Sequence, residues 1–88
     1  MRPYPARIAG ELLEMSFDSQ RKVFRLVFRH DPQIYAPTEI FLPNLHYPAG
    51  VQVEVSDGRW KHHSEHQALI YAHASERDTH TLVISPGV

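Results

Sequence analysis

Cysteine is missing from all 88 residues, so neither a disulfide nor a thiolate ligand or nucleophile is available. That absence is compatible with a reducing compartment such as the cytoplasm and does not require one. Long apolar runs are also missing. None approaches the roughly 20 residues that a membrane-spanning helix needs. Charge of one sign is lacking as well: 9 basic residues face 10 acidic ones, for a net charge of −1. With no basic stripe and no polybasic cluster, nucleic acid and anionic lipid surfaces are excluded as electrostatic partners. Length sets a further bound, since a (β/α)8 barrel takes about 250 residues. One domain with a modest core is what this chain can build. The opening Met1-Arg2-Pro3-Tyr4-Pro5 lacks the apolar centre of a signal peptide and reads as an extended linker leaving a preceding domain.

What is present is alternation. The apolar period is two, which predicts strands. Leu13, Met15 and Phe17 alternate with Leu12, Glu14 and Ser16. After the polar turn Asp18-Ser19-Gln20-Arg21, Phe24, Leu26 and Phe28 alternate with Val23, Arg25, Val27 and Arg29. These two runs are expected to pair as a hairpin with one strongly apolar face. Residues 30–37 read as a loop, Thr38 to Leu42 as a strand stopped by Pro43, and residues 44–50 as a second loop. Val51, Val53 and Val55 alternate with Gln52, Glu54 and Ser56, and Asp57-Gly58 follows. Asp-Gly favours a two-residue type I′ hairpin, which would set Val55 opposite Trp60 and Glu54 opposite Lys61, with Trp60 in the core. Strands over Gln67 to Ala72 and Thr79 to Ser85 complete the pattern, Leu82 and Ile84 facing inward. Seven or eight short antiparallel strands predict an all-β sandwich of the immunoglobulin-like or jelly-roll-like kind.

Chemistry-bearing residues are present, but their spacing argues against catalysis. His62, His63 and His66 cluster in sequence. Neighbours on a strand point to opposite faces, however, and H-E-x-x-H is absent, so no metal site is assigned to them. Glu39, Glu54, Asp57 and Glu65 are the carboxylates a glycosidic mechanism would draw on. Glu54 and Asp57 already have structural roles in the expected hairpin. No G-x-S-x-G elbow accompanies the Ser, His and Asp residues. Among aromatics, Tyr35 and Tyr47 sit in Pro-bounded loops, where a ring can offer both an apolar face and a polar tip.

The order Arg2-Pro3-Tyr4-Pro5, Ala9-Gly10, Phe17-Asp18, Val23-Phe24-Arg25-Leu26, Pro37-Thr38-Glu39-Ile40-Phe41-Leu42-Pro43, His46-Tyr47-Pro48, Gly50, Val53-Glu54-Val55-Ser56-Asp57-Gly58 and Leu82-Val83-Ile84-Ser85-Pro86 resembles a known family. It is similar to the C-terminal β-sandwich domain of endoglycoceramidase-type enzymes of glycoside hydrolase family 5. The resemblance implies that residues 1–88 are one accessory sandwich of a larger retaining glycoside hydrolase. Its partner would be the catalytic (β/α)8 barrel of that enzyme, and its surroundings a glycolipid substrate. The family's catalytic glutamates lie in the barrel. The expectation is therefore no catalytic residue, cofactor or metal here, with Tyr4, Tyr35, His46 and Tyr47 as candidate docking or ligand contacts. An exposed apolar patch of several hundred Å² is expected where the barrel would dock. Two other readings stay open at this point: an autonomous carbohydrate-binding module, marked by a coplanar row of exposed aromatics, and an immunoglobulin-like protein-interaction domain, marked by edge-strand pairing.

Overall fold

Alternation becomes two stacked sheets in the computed structural model, which describes residues 2–87. The strands are β1 (Tyr4–Arg7), β2 (Gly10–Asp18), β3 (Val23–His30), β4 (Thr38–Phe41), β5 (Val51–Val55), β6 (Arg59–His63), β7 (Ala68–Ala72) and β8 (Thr79–Pro86). One sheet has the order β1-β4-β7-β6 and the other β2-β3-β8-β5, with every pairing antiparallel. Short 3-10 turns at Asn44–His46 and Ser64–His66 are the only helical elements among the described residues. The segment read as a linker contributes β1, which pairs with β4 through Tyr4 opposite Phe41 and Pro5 opposite Ile40. Met1 lies outside the described residues.

The core is what period-two alternation dictates. Phe24, Leu26 and Phe28 of β3 and Leu82 and Ile84 of β8 point inward from one sheet. Ile40, Leu69 and Tyr71 answer from the other. Each such side chain contributes about 1.5–3 kcal/mol by leaving water. Thr38, also fully buried, is satisfied by accepting the Ala9 N–H at 3.1 Å.

Two expectations fail here. The first is the Asp57-Gly58 hairpin. β5 pairs with β8 in one sheet, and β6 pairs with β7 in the other. Glu54 therefore faces Val83 and Lys61 faces Ile70, while Trp60 stands opposite Tyr71 on an edge strand, 41% exposed. Residues 56–58 are a corner at which the chain changes sheets. The turn signal itself was sound: Gly58 has φ +74, and a Cβ there would collide with the Ala72 carbonyl oxygen.

The second is the apolar face of β2. The β2–β3 hairpin forms, and the Asp18 carboxylate braces its turn by accepting the N–H groups of Gln20 and Arg21. A bulge between Leu12 and Glu14 shifts the alternation, so Leu12, rather than Leu13, lies opposite Phe28. Met15 opposes Leu26 and Phe17 opposes Phe24. Cross-strand partners share a face, so Leu12, Met15 and Phe17 look inward. Only Phe17 packs against the core. Leu12, Leu13 and Met15 remain exposed. The four residues of β1, on the edge of the facing sheet, are too few to cover the nine of β2.

Candidate functional site

Polar chemistry concentrates at the corner made by residues 56–58. The Asp57 side chain is only 12% exposed. Its Oδ1 accepts the Ala74 N–H at 2.9 Å and the Tyr71 hydroxyl at 2.8 Å. The Tyr71 hydroxyl also lies 2.8 Å from the Asp57 backbone carbonyl, so one proton serves two acceptors. Nδ1 of the fully buried His80 sits 2.7 Å from Asp57 Oδ2, Ser56 Oγ donates to the same oxygen at 3.1 Å, and the Arg77 guanidinium approaches it at 3.7 Å. Burial pushes the Asp57 carboxyl up. Hydrogen bonds from Ala74, His80, Tyr71 and Ser56 outweigh burial and hold it at about 2. Burial, then the neighbouring carboxylate, raises the Tyr71 phenol.

The chain of contacts continues away from Asp57. His80 Nε2 lies 2.8 Å from His30 Nδ1. His73 stacks on His30 with ring centroids 4.6 Å apart and is as close to His80. Register explains the meeting. His30 ends β3, His80 lies one residue into β8 opposite Phe28, and His73 follows β7 directly. Three strand ends thus converge at one end of the sandwich. His30 and His73 border an open cleft of about 440 Å³, whose other wall is the loop 31–37 with Asp31, Ile34 and Tyr35. Burial, together with the neighbouring His80 and His30, holds the His73 imidazole below the usual histidine range.

The residues singled out in the sequence are scattered by comparison. Tyr35 is 95% exposed on the cleft loop. Tyr4 is half exposed and leans on Phe41 at 5.0 Å, on the outer face of its sheet. Tyr47 is buried. Its hydroxyl donates to the Lys22 carbonyl, and burial pushes the phenol up to about 12, so it packs beneath its loop. His46 lies between the rings of Phe17 and Tyr47. His62 and His63 occupy successive positions of β6, and His66 lies in the second 3-10 turn. His63 pairs with Glu65 at 3.4 Å. Glu39 is held by Arg7 on one sheet, whereas Glu54 lies on the other. Of the histidines that do converge, 30, 73 and 80, the first is distant in sequence from the other two. Only the β3–β8 register could have joined two of them in advance.

The model for the glycoside hydrolase family 5 C-terminal domain matches residues 2–84. This chain belongs to that family. As its C-terminal domain, the chain is the sandwich and not the catalytic barrel. Ergosteryl-beta-glucosidase of Saccharomyces cerevisiae is 32% identical over 77 residues, covering 83% of this chain and 10% of the yeast enzyme. Endoglycoceramidase I of Rhodococcus hoagii is 42% identical over 60 residues, covering 67% of this chain and 12% of that enzyme. Among solved structures, endo-glycoceramidase II from Rhodococcus sp. superposes with a TM-score of 0.81 at 29% identity. That match spans 99% of this chain and 19% of the neighbour. Sterylglucosidase 1 of Cryptococcus neoformans gives 0.84 at 25% identity, over 98% and 14%. The chain thus spans a fifth or less of the length of these relatives.

Proposed function

We propose that this GH5 C-terminal domain packs its open β1/β2 edge against the catalytic barrel of a glycolipid-directed glycoside hydrolase and buttresses the lipid end of the cleft. The observation that carries the reading is the bare inward face of β2, with Leu12 and Met15 turned toward a core that does not reach them. An apolar strand face left open in this way favours a partner that completes the layer. The relatives' names supply the substrate class, since both endoglycoceramidase and ergosteryl-beta-glucosidase denote enzymes acting on a sugar joined to a lipid. Their greater length leaves room for the barrel. The carbohydrate-module reading has less support. The exposed aromatics Tyr4, Tyr35 and Trp60 lie on β1, on the cleft loop and on β6, and β1 and β6 are opposite edges of one sheet. They form no row on which a glycan could stack.

The test is Leu12→Asp combined with Met15→Asp in the full-length enzyme that carries this sandwich. Hydrolysis is measured on a glycolipid and on a water-soluble aryl glycoside. Loss confined to the glycolipid supports a role at the lipid end. Loss of both, with a lowered melting midpoint, supports docking on the barrel. Full retention of both activities and of the midpoint overturns the proposal.

A further inference from the structure

His30, His73 and His80 offer three ring nitrogens that all lie within 4.8 Å of one another. We propose that these histidines form a binding site for a divalent transition metal of the zinc type, with a fourth coordination position facing the cleft of the 31–37 loop. The proposal is independent of the docking role.

Three observations meet at this place. The first is ligand chemistry. Imidazole nitrogens suit zinc, and three protein ligands with one open position is the arrangement zinc adopts when it also holds a water or an exogenous group. Tetrahedral ligands at about 2.0–2.1 Å from the ion lie about 3.4 Å apart. The 2.8 Å between His30 Nδ1 and His80 Nε2 needs to widen by only about half an ångström to reach that separation.

The second observation is orientation. A ligating histidine usually donates its other ring N–H to a carboxylate, which fixes the tautomer and raises ligand basicity. Asp57 stands in that position, with Oδ2 2.7 Å from His80 Nδ1. With the proton held on Nδ1, the Nε2 lone pair of His80 points toward His30. Without metal, His30 Nδ1–H donates to that lone pair. With metal, the His30 proton moves to Nε2 and Nδ1 becomes a ligand, so the ring stays neutral throughout. Asp57 also supplies a negative charge behind the site, shared with Arg77 at 3.7 Å.

The third is an orphan. His73 Nδ1 is buried and has no hydrogen-bond partner, a condition shared among the described residues by His62 Nε2, on which no other ligand atoms converge. Buried polar atoms are nearly always satisfied, and one that is not calls for an explanation, which an ordered water or a bound ion can supply. Its ring lies 4.6 Å from both His30 and His80, centroid to centroid. A cation held at the nitrogen-bearing edges of the three rings, in the ring planes, would satisfy it.

The experiment is calorimetric titration of the tag-free, chelator-stripped 88-residue chain with zinc chloride. Cobalt(II) serves as a visible reporter of tetrahedral geometry. One equivalent should bind, cobalt should give intense visible absorption, and zinc at about a hundredfold excess over its dissociation constant should raise the melting midpoint by about 10 °C or more. His73→Ala makes the cleanest variant, because His73 lies outside the strands and holds no hydrogen bond at Nδ1. It should fold and weaken binding at least tenfold. His30→Gln should do the same. His63→Ala with His66→Ala, remote from the cluster, should leave binding unchanged. Absence of binding, survival of full affinity in His73→Ala, or loss of affinity in the His63/His66 pair would each overturn the assignment.

Discussion

The chain changes sheets five times among the described strands, and two of those corners, at opposite edges of the sandwich, are built differently. Between β5 and β6 the crossing is closed by a side chain. Asp57 turns inward and collects donors from Tyr71, Ala74 and His80, on elements more than ten residues downstream. Between β1 and β2 the crossing is held by backbone. Ala9 is buried, gives its N–H to Thr38 and takes the Asp31 N–H on its carbonyl. Beyond that corner β2 runs on with its inward Leu12 and Met15 bare. One edge of the sandwich is therefore sealed by its own polar network, and the other leaves apolar surface open. Where a fold places self-sufficient chemistry and where it leaves apolar surface are separate decisions, and the second marks the face available for docking.

If the β5–β6 corner is the bolt, removing Asp57 should have the largest effect. Asp57→Ala orphans the Ala74 N–H and His80 Nδ1–H inside the fold, while the Tyr71 hydroxyl keeps the Asp57 carbonyl. Breaking a buried ionic hydrogen-bond set from one side costs roughly 3–5 kcal/mol. Urea unfolding should show a fall of that size in the extrapolated stability, against no comparable loss for any exposed position of β2. Gly58→Ala comes next. It leaves every donor and acceptor in place but forces a Cβ onto a residue at φ +74 and into the Ala72 carbonyl. A loss of roughly 2–3 kcal/mol is expected from the same urea measurement. A neutral result would mean that the corner is loose enough to shift, against the bolted picture.

Acid should loosen the same corner selectively. The Asp57 carboxyl titrates at about 2 in the fold and near 3.8 when unfolded. A depressed carboxylate contributes stability that is fully present above its unfolded value and is lost as pH falls through the folded one. The contribution is roughly 2 kcal/mol. The stability difference between the native chain and Asp57→Asn should accordingly shrink between about pH 5 and pH 2. Asp18, lowered by the backbone N–H groups of Arg21 and Gln20, titrates in both proteins and cancels. A difference that stays constant over that range would remove Asp57 as the acid-sensitive group.

The sequence was most informative where a strand's face decides its neighbours. Phe24, Leu26 and Phe28, and Leu82 and Ile84, were legible as inward residues because alternation alone determines which side they occupy. It misled where the partner had to be known. Asp57-Gly58 carries the chemistry of a tight reversal, and Gly58 does take the left-handed conformation. Which strands that reversal joins depends on Tyr71, Ala74 and His80, and local propensity does not encode them. The same holds for histidines. Nearness in sequence drew attention to His62, His63 and His66, whereas strand register assembled His30, His73 and His80. Family resemblance named the sandwich and its relatives correctly from the ordered Pro37–Gly58 block and its flanks, but it carried no information about the cluster.

Alternation also states a face without stating whether anything covers it, and the smallest effect tests that distinction. Leu26 and Met15 are cross-strand partners on one inward face, yet Leu26 is fully buried and Met15 is exposed. Leu26→Ala should cost roughly 2–5 kcal/mol through lost transfer energy and the cavity left behind. Met15→Ser, at a position already 46% exposed, removes apolar surface that water largely reaches. In the isolated chain its effect should stay within about 0.5 kcal/mol, because substitutions away from core, cap or buried polar features rarely exceed that. Urea midpoints for the two variants measure the contrast directly. Should Met15→Ser cost as much as Leu26→Ala, the β2 face would have to be closed in solution by the chain itself or by a second copy. Dilution separates those two cases, since only the intermolecular one weakens as the protein concentration falls.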